Sequence, residues 1–575
     1  MEGRFMAYFL KKTKNKKGIY LQIYEGFYDP TRGHAVQRSF RPIGYLDDLI
    51  KQGVSDPLTF FQLEVVQLNL QRNEENNRIK NKLISDITPE RNLGYFPLKS
   101  LNESLGVKKY LDLMQSPFRF KFNVFEVLSS LVYARVVDPC SKYKTFYEVL
   151  PLLYEDFHYS ESQMYDALEY IGSEYEKIIE IYNHGLQSRF PSDVSTTYFD
   201  CTNFYFEIDK EDEFRRNGPS KENKKAPIVS MGLLLDAHQI PIGMKIFPGN
   251  ESEKPVIREV LNELKERHQI NGRIIRVADK GLNCAENIAH ARTNGDGYIF
   301  SKSIKMMPET EKTWVLLDHD YEDVYDTDGK LLYRMKSCID DFPYDIPLES
   351  GRKTRISLRE KRVVTYNPKL AEKKRFEILK QVEKAKRLNA AQAKRNEYGD
   401  CTKYVSFKST DNSGNETDKK VSVSLNRKAI ENDLKLAGYN CIVTSELKLN
   451  SKQIIEVYRN LWRIEESFRV MKSYLDARPA FVQKQDSIIG HFLICYLSIL
   501  LLRLLQFNIL QNEVSSETII HFIRNFRVAN ISDRKWINLT KNSDFIKAFA
   551  KQTGLPLTSY FLVPSQLKKV LQHRL

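Results

Sequence analysis

The sequence predicts a multidomain α/β protein built around a mixed sheet flanked by helices. Its 575 residues exceed what one hydrophobic core usually serves. From residue 194 onward, β-rich runs alternate with amphipathic helical patterns. A short β-rich start and a helical stretch precede this alternation, and a long segment with its own strands interrupts it. We therefore expect one central sheet with several accessory regions.

Two regions precede the sheet. Residues 1–55 have the pattern of short strands, with a hairpin connection at "DPTRG", 29–33. Residues 56–189 have helical periodicity, and Ser160 or Ser162 is a suitable N-cap for one of the helices. The second region is therefore predicted to be a compact helical module.

Residues 190–305 contain the first part of the sheet. Three strands come first, in "VSTTYFDCTNFYFEI" and in the two apolar runs of "PIVSMGLLLDAHQIPIGMKIFPG". An amphipathic helix with Pro255 in its first turn follows. Then come the strand "GRIIRVADKG", a short helix from residue 284 and the strand "GYIFSKS". This order predicts a mixed sheet with helical connections.

Residues 306–450 interrupt the sheet with a β-rich insertion. Its predicted strands are "KTWVLLD", "LLYRMK", "KRVVTYN" and "YNCIVTSE", and "TDGK" has the pattern of a hairpin turn. A long basic helix, 369–396, lies inside it. Residues 451–510 then complete the core with a helix that carries Glu465, and 511–575 form a C-terminal helical region.

The run "SIIGHFLICYLSILLLRLLQFNIL", 487–510, is long enough to cross a membrane. Polar residues, among them Arg503, interrupt both of its ends, and the sequence offers no second candidate. We predict a buried core helix and no membrane partner. The seven cysteines are scattered without a C-x-x-C pair, and no signal-peptide pattern opens the chain. We therefore expect a reducing, cytoplasmic location and neither a disulfide framework nor a zinc ribbon.

The net charge of +14 is concentrated in two windows. Residues 351–400 hold 16 Lys/Arg against 6 Asp/Glu, and residues 1–50 hold 9 against 5. Concentrated positive charge indicates a polyanionic partner, and nucleic acid is the better candidate once a membrane is set aside. The alternative for the basic helix is a solvated face. Its candidate phosphate contacts are Lys373, Lys374, Arg375, Lys384, Lys386 and Arg387.

Two aspartates occupy unusual positions in predicted strands. Asp200 lies in "YFDCTN", and Asp279 ends the apolar run "IIRVADKG". Aspartate is depleted in strands, and functional groups of open α/β sheets gather at the carboxyl ends of strands. The structural alternatives are a helix N-cap for Asp279 and a turn or cross-strand hydrogen bond for Asp200.

A helix in "YRNLWRIEESFRVMK" would place Tyr458, Glu465 and Lys472 on one face, seven residues apart. The alternative is a solvated face with an ion pair between Glu465 and Arg469. We expect Trp462 to lie in the core. Asp200, Asp279 and Glu465 together would form an all-oxygen site, which suits two Mg²⁺ ions, or Mn²⁺ in their place.

These residues resemble the DDE triad and the YREK signature of cut-and-paste insertion-sequence transposases. Tyr458, Glu465 and Lys472 match the signature in type and spacing. Leu461 stands where the signature has an arginine, and Arg463 is the candidate replacement, from a different helix face. Glu466 is a rival for the catalytic acid, but the spacing favours Glu465.

The resemblance covers roughly residues 190–510 and implies an RNase H-like core with a β-rich insertion. It implies an endonuclease that cuts transposon ends with two Mg²⁺ ions, joins the 3′-hydroxyl to target DNA, forms a hairpin at the donor end and acts as a synaptic homodimer. Asp200, Asp279 and Glu465 would bind metal. Residues 56–189 and the basic helix would bind DNA at the bacterial nucleoid. The residues expected to hold DNA near the cut are Tyr458, Arg463, Arg469 and Lys472.

Two other functions remain open at this point. An RNase H-like nuclease or junction resolvase would share the site but would not transfer strands. A DNA-binding regulator with an inactive core would bind without cutting. The intact set of three acids speaks against the regulator, and Leu461 speaks slightly for it.

Overall fold

The computed structural model describes residues 4–29, 34–80, 90–219, 226–268, 272–347, 352–390, 395–408, 422–532 and 535–575. The chain forms two compact units. The smaller contains residues 1–90, 529–537 and 561–564, and the larger contains residues 91–528, 538–560 and 565–575. Most of the hairpin connection predicted at 29–33 lies outside the described residues.

The smaller unit pairs three antiparallel strands in the order β1-β2-β3 with two helices. Val65 of the second helix packs with Tyr8 and Ile23 of the sheet, and the Asn69 side chain bonds the backbone of Tyr8. The predicted boundary between residues 55 and 56 thus falls inside this unit. The elements are β1 (Arg4–Asn15), β2 (Gly18–Asp29), β3 (His34–Tyr45), α1 (Leu46–Lys51) and α2 (Pro57–Lys80).

The larger unit begins with a helical region. Ser160 and Gln163 form a capping box at the start of its α7, which confirms Ser160 as an N-cap. A π-helical turn, Thr145–Val149, and a 3₁₀ turn, Leu150–Leu152, follow α6. The elements are β4 (Glu90–Asn92), α3 (Phe96–Ser104), α4 (Lys108–Gln115), α5 (Val124–Val137), α6 (Lys142–Lys144), α7 (Glu161–Ser173) and α8 (Tyr175–Arg189).

The central sheet then forms as predicted. Strands β7, β6 and β5 pair antiparallel, and β8 and β9 add to β5 in parallel. This order is compatible with an RNase H-like core. Residues of α9 and α10, among them Val260 and Ile288, pack with Phe199 and Ala278 in one apolar core. The elements are β5 (Thr196–Tyr205), β6 (Ile228–Leu235), β7 (Pro241–Pro248), α9 (Glu253–His268), β8 (Ile275–Ala278), α10 (Ala285–Thr293) and β9 (Gly297–Lys302).

The insertion continues the same sheet. Strand β15 pairs with β9, and β12, β11 and β10 follow, so the sheet has nine described strands in the order β10-β11-β12-β15-β9-β8-β5-β6-β7. Its remaining elements are a two-stranded sheet (β13, β14), helices α11 to α13 and 3₁₀ turns at Ile304–Met306 and Arg395–Tyr404. The bounds are α11 (Glu309–Leu316), β10 (Glu322–Tyr325), β11 (Leu331–Pro347), β12 (Lys353–Tyr366), α12 (Pro368–Ala390), β13 (Val405–Lys408), β14 (Ser422–Leu425), α13 (Arg427–Lys435) and β15 (Tyr439–Thr444).

One predicted strand of the insertion is wrong. Most of "KTWVLLD" belongs to α11, because Pro308 and the first-turn acids Glu309 and Glu311 favour a helix start over the short apolar run. The turn predicted at "TDGK" is confirmed. There Gly329 has φ of 75°, and the Asp326 amide donates to the Lys330 carbonyl.

The apolar helix α16 is buried in the larger unit. It is the one described helix long and apolar enough to cross a membrane, and its apolar window is buried in the protein, as predicted. A Cβ added at Gly172 of α7 would collide with the Asp486 backbone of α16, so the two helices need glycine there. The last elements of the chain are α14 (Ser451–Arg459), α15 (Trp462–Ser473), α16 (Gln485–Arg503), a π-helical turn (Leu504–Ile509), α17 (Ser516–Asn525), β16 (Arg527–Ser532), β17 (Lys535–Asn538), α18 (Asp544–Thr553), β18 (Phe561–Leu562) and α19 (Pro564–Leu571). Of these, β18 and most of β16 and β17 belong to the smaller unit.

Candidate active site

Asp200 and Asp279 are neighbours across two parallel strands. Ala278, the residue before Asp279, pairs with the residue before Asp200 on β5 and with the residue before Ser301 on β9. Adjacent strands lie about 4.8 Å apart. Asp200, Asp279 and Ser301 therefore form a row across the sheet, where the short strand β8 ends.

The Asp279 carboxylate is held by two hydroxyl groups. Ser301 Oγ and Tyr458 Oη donate to the same oxygen, Oδ1, over 2.6 and 3.0 Å. Burial acts to raise the pKa of Asp279, but these bonds, the Lys280 amide and the Lys280 charge outweigh burial and lower the pKa. Asp279 is thus a fixed anion. It does not cap the next helix, because Cys284 is the N-cap residue of α10.

Tyr458 and Glu465 lie on two helices. Helix α14 ends one residue after Tyr458, and α15 begins three residues before Glu465. Between them, at Asn460 and Leu461, the backbone tightens, and the Leu461 amide donates to the Tyr458 carbonyl three residues earlier. The prediction of one continuous helix through Tyr458, Glu465 and Lys472 is therefore wrong. Asparagine is a weak helix former, which fits the position of the break.

Glu465 nevertheless lies near Tyr458. Burial is the main reason that the pKa of Tyr458 is raised, and the charges of Asp279 and Glu465 raise it further. Tyr458 is therefore a neutral hydrogen-bond donor close to both carboxylates. Glu465 is exposed and forms no ion pair with the described residues, so the proposed pair with Arg469 is absent among them.

Glu466, in contrast, is engaged inside the protein. Its carboxylate lies 3.0 Å from Arg463 Nη1 and 3.3 Å from Arg503 Nη2, and its side chain is 11% exposed. Arg503 is 2% exposed and also donates to the Ser467 hydroxyl and to Gln506 Oε1. The arginine that interrupts the apolar run thus anchors α15 to α16.

The remaining cations of α15 are distributed over different faces. Lys472 Nζ lies 5.3 Å from the ring centroid of Phe204, which shares a face of β5 with Asp200. Arg469 is exposed. Arg463 is held between Glu466 and the Trp462 ring, whose centroid is 4.0 Å from the guanidinium carbon.

Two further residues of the signature stretch are placed by the structure. Leu461, at the position of the signature arginine, is 8% exposed and belongs to the core. Trp462 is 47% exposed, so the prediction that it lies in the core is wrong. Trp462 is the first residue of α15, and Arg463 covers one side of its indole ring.

The six predicted phosphate contacts of α12 are all exposed and fall into two groups. Lys374 pairs with Glu377, and Lys386 and Arg387 both lie within 4 Å of Glu383. The other three form no ion pair with described residues. They are Lys373, Arg375 and Lys384. The helix therefore offers both a compensated and an uncompensated set of cations. The basic helix predicted over 369–396 is described through Ala390.

The carboxylates suit a hard metal ion by donor type. Asp200 and Asp279 are adjacent, and the charge of Glu465, on α15, contributes to the raised pKa of the Tyr458 hydroxyl that bonds Asp279. Oxygen donors are those that Mg²⁺ and Mn²⁺ prefer. In the described part of the chain, however, no group of three or more His, Cys, Asp or Glu residues is close enough to form a metal cluster.

Comparison with known proteins decides the family. The family model of the transposase DDE domain matches residues 195–501, which is more than half of the chain. The match runs from β5 nearly to the end of α16. The chain belongs to the DDE transposase family. No curated protein matches it. The transposase is a DNA-cleaving enzyme, and Asp200, Asp279 and Glu465 all lie within the matched residues.

Sequence reasoning missed Ser301 and Lys280 of the transposase site. Both touch or influence Asp279, one by a hydrogen bond and one by charge. Ser301 was detectable, because it is a polar residue near the end of a buried strand, the same signal that identified Asp279. Lys280 directly follows Asp279 in the sequence, but its exposed side chain gives no pattern to detect.

Proposed function

We propose that this DDE transposase moves its own insertion sequence by a cut-and-paste route, with Asp200, Asp279 and Glu465 as the catalytic acids. The observation that carries the proposal is the row at the end of β8. There Asp279 lies beside Asp200 and accepts a hydrogen bond from Tyr458, which in turn lies near Glu465.

The three carboxylates would bind two divalent ions, Mg²⁺ or Mn²⁺. Such ions, when bound, stabilise the attacking and the leaving oxygen of an in-line displacement at phosphorus. Ser301 and Tyr458 keep Asp279 deprotonated and oriented for that task. Because Tyr458 stays neutral, its hydroxyl proton remains available to hold Asp279.

The chain's own cations would hold the DNA. Lys472 lies over the β5 face that carries Asp200, where it can bind the phosphate beside the cut. Arg469 is exposed on the same helix. Glu466 is a weaker candidate for the catalytic acid, because its carboxylate is already paired with Arg463 and Arg503. In solution we expect two copies to assemble on the two transposon ends at the nucleoid.

End-labelled DNA that flanks the gene, incubated with Mg²⁺ or Mn²⁺, tests this function. We expect metal-dependent nicks at the boundary of the inverted repeats, followed by joined products when target DNA is added. Asp200→Asn should abolish both products and keep DNA binding. Nicking without any joined product would favour an RNase H-like nuclease, and binding without cleavage under either metal would favour a regulator.

A further inference from the structure

A groove runs from Asp279 into the insertion, and it belongs to the larger unit. Its volume is about 840 Å³. Asp279, Lys280 and Tyr458 line the end next to the candidate active site, and residues of β15 and α12 line the rest. Pockets of roughly 300–1,000 Å³ accommodate small ligands. The groove therefore has room for a few nucleotides of one strand.

Two of the basic residues that line the groove are paired with acids, and a third is partly buried. Lys305 pairs with Asp433 at 2.5 Å, and Lys374 pairs with Glu377 at 2.7 Å. Lys302 lies over the Tyr344 ring, and burial lowers its pKa. Lys305 and Lys374 are therefore less available to an anion than the unpaired cations of the groove.

Three cations of the groove are exposed and form no ion pair with the described residues: Lys403, which lies over the Tyr404 ring in the insertion, and two at the active-site end. The two at the active-site end are Lys280 and Arg459. Arg459 has a fixed backing, because its guanidinium carbon lies 4.6 Å from the ring centroid of Tyr333. A guanidinium offers two parallel N–H groups to a phosphate.

Arg459 also answers the question raised by Leu461. The side chain at 461 is buried, and Arg463 is engaged by Glu466, so neither is available in the groove. Arg459 directly follows Tyr458, whose hydroxyl bonds Asp279. It is thus the arginine of this segment that lines the groove.

We propose that Lys280 and Arg459 bind successive phosphates of a single DNA strand that leaves the active site along this groove, and that Arg459 supplies the charge missing at Leu461. The inference rests on the proposed function, because the strand is the DNA strand that would be cut in the active site beside Asp279. The ligand class is an unpaired deoxynucleotide segment, bound through its backbone.

The test uses a fluorescent short oligothymidylate and the full chain in metal-free buffer, so that no cleavage occurs. Binding is followed by anisotropy over a range of salt concentrations. Arg459→Gln and Lys280→Gln should each weaken binding and reduce the slope of log K against log salt by about 0.7, the value for one single-strand phosphate contact. Arg459→Lys should keep the slope, because the charge remains.

Lys452→Gln is the matched control. Lys452 is exposed on α14, the helix of Arg459, and does not line the groove. We expect its removal to leave the slope unchanged. The proposal is overturned if Arg459→Gln and Lys280→Gln retain the wild-type slope, if Lys452→Gln lowers it equally, or if the wild type does not bind the oligothymidylate at low salt.

Failure of the groove and failure of the proposed function give different results. If the flanking DNA is nicked and joined but both groove variants bind the oligothymidylate normally, the proposed function stands and the proposed strand binding in the groove is wrong. The opposite result is a reduced salt slope in both groove variants, together with wild-type protein that neither nicks nor joins DNA with metal. In that case the groove binds a strand, and the proposed transposition function is wrong.

Discussion

Substitutions at the two adjacent glutamates of α15 should affect different properties, DNA nicking for Glu465 and folding stability for Glu466. Glu466→Gln removes a charge that faces Arg463 and the 2% exposed Arg503. Breaking a buried ion pair from one side costs about 3–5 kcal/mol, and we expect about 3 kcal/mol because glutamine keeps a hydrogen bond. Glu465→Gln removes an exposed charge with no described ion pair, and such surface changes stay within about 0.5 kcal/mol.

Urea unfolding and Mg²⁺-dependent nicking of flanking DNA measure the two effects side by side. Glu465→Gln should unfold at the wild-type midpoint and should not nick. Glu466→Gln should unfold at lower urea but still nick at temperatures where it is folded. Wild-type nicking by Glu465→Gln would refute the reasoning. So would loss of nicking by Glu466→Gln at an unchanged midpoint, because Glu466 would then be the catalytic acid.

Three other outcomes follow from the geometry. Because hydrogen bonds hold the pKa of folded Asp279 below its usual value, the anion persists as the pH falls toward that pKa. Ser301→Ala should raise this pKa and move the acid limb of the nicking profile to higher pH, whereas Ser303→Ala should not. Gly172→Ala should lower the free energy of unfolding in urea by about 1–3 kcal/mol through overpacking against α16, whereas Gly272→Ala, with open space around it, should not. Neutralising the unpaired cations of α12 should reduce the slope of log K against log salt for duplex binding by about 0.9 per phosphate contact. Neutralising the paired cations should change this slope less. The unpaired set is Lys373, Arg375 and Lys384, and the paired set is Lys374, Lys386 and Arg387.

The core sheet could be predicted because its signals are local. Apolar runs, a Pro255 helix start and turns such as the one at Gly329 each indicate their own structure without reference to distant residues. Asp279 was detectable for the same reason, since a charged residue closing an apolar strand is unusual.

The features that the sequence did not predict depend on tertiary contacts. The break between α14 and α15 follows no proline or glycine, and the exposure of Trp462 depends on how α15 packs. The difference between Glu465 and Glu466 is set by Arg503, thirty-seven residues further along the chain than Glu466. Spacing favoured Glu465, but only the packing of α16 shows that Glu466 has other partners.

The pairing of β15 with β9 has a consequence for dissecting the protein. Cys441–Thr444 of the insertion supply the hydrogen-bonding partners of β9, whose Ser301 holds Asp279. Deleting residues 306–450 would leave β9 as an unpaired edge strand of apolar character, the kind of edge that recruits other chains and aggregates. A shortened protein should therefore keep β15, which covers the edge next to the catalytic row, together with β12, which covers the other edge of β15.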